Sequence, residues 1–316
     1  MKDIYDILRE WKKRRGDNRQ SAPDFAVATL VRAEGSSYRR PGARMLICED
    51  GTTVGLLSAG CIEAEVAARG HDVIQTGEPA LMSFDTWRRF GCAGKIDIFI
   101  ERVSDELFCE IANHFDSRRS CSLVTTQNGT SVGEAISFSP NNEREANGFP
   151  HSPFNQEIHP PIRLVIIGDG LDNDPIRSLG QLLGWEVIEI VDPNTISIAP
   201  DIRMAAIVKS HNYGRDFVAL QKLLPLNLRY LGLIGPRKRR DELMNALLEA
   251  GITVNAGFFS PAGLGLGAET PEEIALSIVS EIQRVFAGGS GRSLRERKTA
   301  IHAPKSTAEA AANSTA

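Results

Sequence analysis

Residues 163–192 read RLVIIGDGLDNDPIRSLGQLLGWEVIEIVD, and this stretch decides the fold of the second half of the chain. Its apolar run at 164–167 is typical of a strand buried on both faces of a parallel sheet. A turn with Gly168 and Gly170 follows, and then an amphipathic segment and a second apolar run. Strand, glycine-containing turn, helix and strand in this order predict the start of a Rossmann-like sheet.

The same alternation continues towards the C-terminus. Apolar and amphipathic segments follow in turn at 204–210, 217–224, 229–235 and 239–251. A last helix is predicted to begin at Thr270, because the sequence TPEE supplies an N-cap, a proline at the first helical position and a glutamate that completes a capping box. Residues 162–287 are therefore predicted to form a Rossmann-like domain with helices on both faces of a parallel sheet.

The first half predicts a mixed α+β domain over residues 1–138. Apolar residues at helical spacing near the N-terminus, from Ile4 to Trp11, indicate an amphipathic helix. Strands are predicted at 25–31, 45–48, 54–57, 80–84, 95–101, 120–126 and 131–138. A short helix is expected after Cys61 and is expected to end at Gly70.

Two segments lack apolar periodicity. Residues 139–161 are rich in Pro, Asn, Gly and Glu, which predicts a solvated linker between the two domains. Residues 288–316 are small and polar, which predicts a disordered tail. The total length of 316 residues agrees with two domains of ordinary size.

Charge, hydropathy and cysteine usage limit the classes of function. With 36 Lys and Arg against 40 Asp and Glu, the net charge of −4 does not predict a basic surface for nucleic acid. A mean hydropathy of −0.17, without a long apolar run, predicts a cytoplasmic protein that does not enter a membrane. The 5 cysteines all precede residue 122 and contain no C-x-x-C pair, which argues against a disulfide framework or a structural zinc site.

Gly168 and Gly170, with Asp192 at the end of the next strand, match the spacing of a dinucleotide-binding loop. However, Asn173 stands at the position of the third glycine, and three acidic residues lie in the same loop: Asp169, Asp172 and Asp174. Their negative charge opposes the helix N-terminus that would otherwise attract a pyrophosphate. NAD(P) is therefore a disfavoured ligand, and the alternative is a structural role for the acids, with Asp174 as the helix N-cap.

Three segments of the first half carry residues suited to binding an anion or to forming a thiolate. The segment at 35–44 reads GSSYRRPGAR, whose amides and guanidinium groups suit phosphate or carboxylate, although a solvated basic loop is the alternative. The turn LSAGCIE at 57–63 delivers Cys61 to the start of a helix, a position that favours the thiolate. Cys92 lies in a second loop, between glycines, and for both cysteines the alternative is a small buried side chain.

Taken together, these segments resemble the XdhC/CoxI family, accessory proteins for the maturation of xanthine dehydrogenases and carbon monoxide dehydrogenases. In the first half the resemblance rests on EGSSYRRPGARMLICEDG, GLLSAGCIEAEV and FDTWRRFGCAGKIDIFIE. In the second half it rests on GDGLDNDPIRSLGQLLGWEVIEIVDP, SHNYGRD, YLGLIGPRKRRDEL and GLGLGAETPEEIALSIVSEI. One departure is Ala59, which stands where the family usually has glycine. The resemblance implies an N-terminal XdhC/CoxI-type α+β domain followed by a Rossmann-like domain.

The resemblance also implies a function, that of a non-catalytic maturation chaperone that binds a molybdenum cofactor of the molybdopterin type. Such a protein would assist sulfuration of the cofactor and its insertion into a xanthine dehydrogenase-type or carbon monoxide dehydrogenase-type hydroxylase. Its expected partners are the apo molybdenum hydroxylase and a cysteine desulfurase, while the sequence leaves homodimerisation open. The alternatives are an NAD(P)-dependent oxidoreductase, suggested by the fold, and a protein-binding adaptor.

The expected cofactor-binding residues come from both halves of the chain, with Cys61 as the expected ligand of the molybdenum. They are Ser36, Arg39, Arg40, Arg44, Ser58, Cys61, Glu63, Cys92, Gly168, Gly170, Asp192 and His211.

Overall fold

The structure is a computed structural model, and the chain divides into two compact units, Met1–Pro160 and Pro161–Ala316. The residues that it describes are 2–16, 24–35, 37–85, 94–134 and 153–296.

The main sheet of the first unit has five antiparallel strands in the order β3-β2-β1-β5-β4. These strands are β1 (Phe25–Gly35), β2 (Arg44–Cys48), β3 (Thr53–Gly55), β4 (Ala80–Asp85) and β5 (Gly94–Val103). Alternate residues of β1 face opposite sides of the sheet, and both sides are covered. Ala26 and Ala28 pack towards α2 (Glu63–Thr76) in one hydrophobic cluster. Phe25 and Val27 belong to a second cluster, with α1 (Lys2–Arg15) and α3 (Asp105–Asp116).

The helix after Cys61 is longer than the sequence predicts. It continues through Gly70 and ends at Thr76, so the expectation that Gly70 stops the helix is wrong. Gly70 is buried against β2, and a Cβ atom at this position would overlap the Cδ1 atom of Ile47. The glycine is explained by the close approach of helix and sheet and not by helix termination.

A smaller antiparallel sheet completes the first unit, with β6 (Cys121–Thr126) between β7 (Gly129–Glu134) and β8 (Phe154–Ile158). The strand β8 lies inside the predicted solvated linker, so that prediction is wrong for these residues. Phe154 and Ile158 are buried, and the backbone pairs with β6 in antiparallel register. The sequence around this strand is polar, and Phe154 and Ile158 alone give too few apolar residues to predict a strand. The pairing with β6 is what places these residues in a sheet.

The second unit confirms the predicted Rossmann-like fold. Its five parallel strands have the order β10-β9-β11-β12-β13. The elements are β9 (Arg163–Ile167), α4 (Asn173–Leu182), β10 (Glu186–Ile190), β11 (Met204–Val208), α5 (Tyr213–Leu223), β12 (Tyr230–Leu233), α6 (Arg237–Glu249), β13 (Phe258–Phe259) and α7 (Pro271–Ala287). Separate hydrophobic clusters cover the two faces of this sheet. Thr270 and Glu273 form the predicted capping box of α7.

The predicted disordered tail begins with residues that the structure does describe. Residues 288–296 include a short 3₁₀ helix at Leu294–Glu296, so disorder is wrong for this part, and residues 297–316 lie outside the described ranges. Within the described part of the chain, no helix is both long and apolar enough to cross a bilayer.

Candidate functional site

The carboxylate of Glu63 organises the turn that carries Cys61. Glu63 begins α2, and its Oε1 atom accepts the N–H groups of Leu57 at 3.1 Å and Ser58 at 2.7 Å. Its Oε2 atom accepts the N–H of Ile62 at 3.1 Å and the hydroxyl of Ser58 at 2.9 Å. Burial alone would raise the pKa of Glu63, but the hydrogen bonds from Ser58 and Ile62 outweigh it and hold that pKa below its usual value. The turn is therefore closed around an ionised carboxylate.

Ser58 extends this network to the residue that bears the thiol. Its Oγ atom accepts the N–H groups of Gly60 and Cys61, both at 3.2 Å. Gly60 has a φ of +104°, which glycine adopts without strain. Ala59 is not among the residues with positive φ, so the alanine at the family's glycine position is accommodated in an ordinary backbone conformation. Three predicted site residues, Ser58, Cys61 and Glu63, thus meet in one hydrogen-bonded turn.

Cys61 differs from the other described cysteines in its exposure. Cys61 is exposed, Cys109 is partly buried, and Cys48 and Cys121 are buried. Burial raises the pKa of both the Cys48 and the Cys121 thiols to about 11, which keeps them protonated at neutral pH. Cys92 lies outside the described residues. Within the described chain, a ligand in solution therefore has access to the thiol of Cys61.

The three candidate arginines have different surroundings. Arg39 forms an ion pair with Asp3 of α1, and Arg40 is exposed. Arg44, the first residue of β2, is only 4% exposed, and its Nη1 atom donates to the carbonyl of Gly42 at 3.1 Å and to Oε1 of Gln156 on β8. Burial lowers the pKa of Arg44 to about 10. Arg44 therefore lies in the interior and not on the exposed basic loop that the sequence predicts, while Ser36 lies outside the described residues.

In the second unit, Lys209 and Asp172 occupy the glycine loop. Lys209 follows β11 and is 1% exposed; its Nζ atom lies 2.6 Å from Oδ1 of Asp172 and donates to Oδ1 of Asn173. A Cβ atom at Gly170 would overlap the Asp172 carboxylate, and one at Gly168 would lie 2.8 Å from the carbonyl of Lys209. Burial alone would raise the pKa of Asp172, but the hydrogen bond and the charge of Lys209 outweigh burial. The pKa is therefore below its usual value, and the carboxylate is ionised at neutral pH. The loop is thus packed with its own charged side chains.

The other two acids of the loop are also paired. Asp169 lies 3.1 Å from Arg215, and Asp174 lies 2.7 Å from Arg177. The N-cap of α4 is Asp172, so the expectation of Asp174 at this position is wrong. Each acidic charge that the sequence places near this helix N-terminus is neutralised by a cation of the same unit. An added phosphate would have to displace Asp172 from Lys209.

His211 and Asp192 lie differently with respect to this loop. His211 is exposed, with a φ of +53°, and its Nε2 atom is 3.7 Å from Oδ2 of Asp172. Asp192 instead accepts the N–H of Asn194 at 2.9 Å and caps the 3₁₀ helix at Pro193–Thr195. The acid that contacts the loop is Glu189, whose Oε2 atom accepts Nδ2 of Asn173 at 2.9 Å. The structure therefore groups His211, but not Asp192, with Asp172 at the glycine loop.

Sequence reasoning missed Lys209, which is the central cation of this group. The available signal was a lysine directly after the apolar run at 204–208, at the carboxyl end of a parallel strand, where ligands of α/β sheets bind. Over the described ranges, no cluster of three or more His, Cys, Asp or Glu residues could hold a metal ion.

Comparison with known proteins agrees with this two-unit architecture. A model of the XdhC and CoxI family matches residues 19–85, and a model of the XdhC Rossmann domain matches residues 164–282. A protein of Bacillus subtilis (strain 168), described as a probable subunit of xanthine dehydrogenase, is 31% identical over 82% of this chain and 92% of its own length. The chain belongs to the XdhC and CoxI family.

Two further proteins are similar to this chain. The molybdenum cofactor insertion chaperone PaoD of Escherichia coli (strain K12) is 25% identical, with 84% of each chain covered. A crystal structure described as a xanthine dehydrogenase from Bacillus halodurans is 24% identical and superposes with a TM-score of 0.74, covering 92% of this chain and 97% of its own. At this identity the likeness shows the fold alone. The XdhC Rossmann domain model, which matches residues 164–282, agrees with the parallel sheet of the second unit.

Proposed function

We propose that this chain binds a molybdenum cofactor and delivers it to an apo molybdenum hydroxylase of the xanthine dehydrogenase type. Family membership and the similarity to PaoD support the general role. The observation in the chain itself that carries the proposal is the exposed thiol of Cys61, on a turn that the Glu63 carboxylate and the Ser58 hydroxyl close.

The chemistry of this turn suits such a cofactor. When bound, the cofactor supplies a soft metal and sulfur centre and an anionic phosphate-bearing end, and a thiolate is a ligand that soft centres prefer. Cys61 would hold the soft end, while Ser58 and Glu63 keep the thiol-bearing turn in one conformation.

The anionic end would be received by the loop that carries Arg39 and Arg40. Guanidinium groups bind phosphate with paired N–H donors. Arg40 is exposed, and Arg39 would exchange its present carboxylate partner, Asp3, for the ligand. Arg44 does not suit this role, because its guanidinium is buried and directed at Gly42 and Gln156.

The proposal extends to the timing of transfer. Cys61 would hold the soft end of the cofactor until the apo hydroxylase accepts it. A cysteine desulfurase is the proposed second partner, since it would install the terminal sulfur while the cofactor is held. An oxidoreductase that uses NAD(P) at the glycine loop is less well supported, because Asp172 and Lys209 occupy that loop.

The test is anaerobic purification of the full chain from a host that makes the cofactor, with molybdenum measured by mass spectrometry and pterin by fluorescence after oxidation. We expect molybdenum and pterin to copurify in similar amounts, and Cys61→Ala to lose most of both. Cys109→Ala is the matched control, because it removes a partly buried thiol from the same unit and should retain the cofactor. Wild-type protein without molybdenum and pterin would contradict the proposal, and so would a Cys61→Ala protein that transfers cofactor to an apo hydroxylase at the wild-type rate.

A further inference from the structure

A small, partly open cavity lies in the first unit, where the sheet meets α1 and α3. Its volume is about 20 Å³, and apolar side chains such as Ile7 and Phe108 form most of its wall. Its polar wall consists of Thr29 on β1, Arg44 on β2, and Glu101 and Thr130 on β5 and β7. A cavity needs about 10–15 Å³ to hold one water molecule, and that water needs two to four polar partners. The cavity therefore has room for a single water and polar groups to bind it.

Two of these polar groups have no partner among the described residues. The Oγ1 atom of Thr29 and the Nη2 atom of Arg44 are buried and make no hydrogen bond there. Thr29 is 1% exposed and Arg44 is 4% exposed. Buried polar atoms of native proteins are almost always satisfied, by protein or by ordered water. This hydroxyl and this guanidinium nitrogen belong to two residues that line the same small cavity, so they are suited to share one water.

Glu101 supplies the acceptor that such a water requires. Its two carboxylate oxygens accept the N–H and the hydroxyl of Thr130, the former at 2.7 Å, and each oxygen has a further lone pair. Burial raises the pKa of Glu101 above its usual value, although the hydrogen bonds from Thr130 and the positive charge of Arg44 oppose this shift. Arg44 and Glu101 are both buried, and a bridging water would connect their side chains.

We propose that this cavity binds one ordered water molecule that accepts a hydrogen bond from Nη2 of Arg44 and bridges Thr29 and Glu101. With Nη2 engaged by the water, Nη1 is directed at the carbonyl of Gly42 and the side chain of Gln156. Gly42 ends the loop of Arg39 and Arg40, and it also bonds to β1 through its N–H and the carbonyl of Leu30 at 2.7 Å. The water and Arg44 together hold the end of this loop in place.

Arg44 is therefore a residue that positions the loop of Arg39 and Arg40, and not a ligand of the cofactor. This positioning role rests on the proposed function of that loop as the anion site. The water site itself does not depend on that function. The water site and the anion site can be tested separately. The water is observable in cofactor-free protein, whereas anion binding by Arg39 and Arg40 is observable only with the cofactor.

The first experiment is a crystal structure of the full chain at a resolution that shows internal waters, together with NMR detection of long-lived water by its transfer to nearby amides. We expect one water within hydrogen-bond distance of Arg44 Nη2 and Thr29 Oγ1, and its loss or lowered occupancy in Thr29→Val, which keeps the side-chain shape. Thr53→Val, at an exposed position of β3, is the control and should leave the water unchanged. A cavity without density in the wild type, or an unchanged water in Thr29→Val, would overturn the site.

The second experiment measures the positioning role by hydrogen–deuterium exchange of residues 37–43. We expect exchange on the order of tenfold faster in Arg44→Lys, because a lysine lacks the forked donors that reach the water and Gly42 together. Thr29→Val should show a smaller change in the same direction, which keeps the test open if Arg44→Lys does not fold. Unchanged exchange in folded Arg44→Lys would refute the positioning role. If instead the water and the loop behave as expected but Arg39→Ala and Arg40→Ala bind cofactor as the wild type does, the proposed anion site fails and the water site stands.

Discussion

At the scale of single residues, Glu63 shows how one side chain defines a candidate ligand site. Its carboxylate accepts hydrogen bonds from N–H groups of the turn before α2. The hydroxyl of Ser58, which donates to this carboxylate, accepts the N–H of Cys61. This arrangement is a local motif, since all these residues lie within seven positions of one another. The thiol is therefore presented by a turn that hydrogen bonds close in the chain without a ligand.

The lowered pKa of Glu63 predicts a pH-dependent contribution to stability. Because the pKa is lower in the folded chain, the contribution is fully present above the unfolded value of about 4.3 and is lost as the pH falls through the folded pKa. We expect Glu63→Gln to lower the free energy of unfolding by about 1 kcal/mol at pH 7, since the hydrogen bonds to an ionised and partly exposed carboxylate are weakened. The difference should shrink as the pH falls below about 4.

The measurement is urea unfolding of both proteins at pH 7 and at acidic pH. Glu78→Gln is the control, because Glu78 is an exposed glutamate just beyond the same helix. A stability difference for Glu63→Gln that stays constant across this pH range would contradict the assigned role of the carboxylate.

At the scale of elements, packing decides features that local propensity does not. The sequence correctly predicts α1, the strands of the main sheet and every strand–helix unit at 163–250, because their apolar residues recur with the period of the element. It misses α3, although Phe108, Ile111, Ala112 and Phe115 have helical spacing, and it assigns β8 to a linker. It also ends α2 at Gly70, because a glycine in sequence is the usual stop signal. Most of the element order was therefore predictable, and α3 was readable from its spacing as well. The identity of β8 and the role of Gly70 depend on contacts with other elements.

The contact between α2 and β2 predicts a rescue experiment. Gly70→Ala should destabilise the first unit by about 1–3 kcal/mol, because the added methyl group overlaps Cδ1 of Ile47 and overpacking outweighs the gain in helix propensity. Ile47→Val removes that atom, so Gly70→Ala should be less harmful in the Ile47→Val background than in the wild type. Thermal unfolding of the four proteins measures the coupling, and additive effects would exclude the contact as the reason for the glycine.

At the scale of the whole molecule, each unit contains its own sheets and its own hydrophobic clusters. The first unit includes β8, whose Phe154 and Ile158 are buried and whose Gln156 bonds to Arg44. The boundary between Pro160 and Pro161 therefore follows directly after the last strand of the first unit. A boundary at residue 138 would remove that strand from its sheet.

This organisation predicts the behaviour of fragments. We expect residues 1–160 and residues 161–316, expressed separately, each to fold and to unfold cooperatively, because each retains a complete core. Residues 1–138 should be clearly less stable than 1–160, since β6 loses a partner strand and Arg44 loses Gln156. Circular dichroism and urea unfolding test this, and equal stability of the two N-terminal fragments would contradict the role of β8.

The sequence by itself determined the Rossmann-like fold of the second half, the α+β character of the first and the turn that presents Cys61. Each of these depends on residues that are close together in the chain, so the periodicity and local hydrogen-bonding chemistry suffice. Only the tertiary structure decided that Arg44 is buried, that Lys209 pairs with Asp172 in the glycine loop, and that β8 is a strand. Arg44 and Gln156 are separated by 112 positions, and Lys209 and Asn173 by 36. Which charges are buried, and against which partners, depends on how distant segments pack, and a single sequence does not encode that pairing locally.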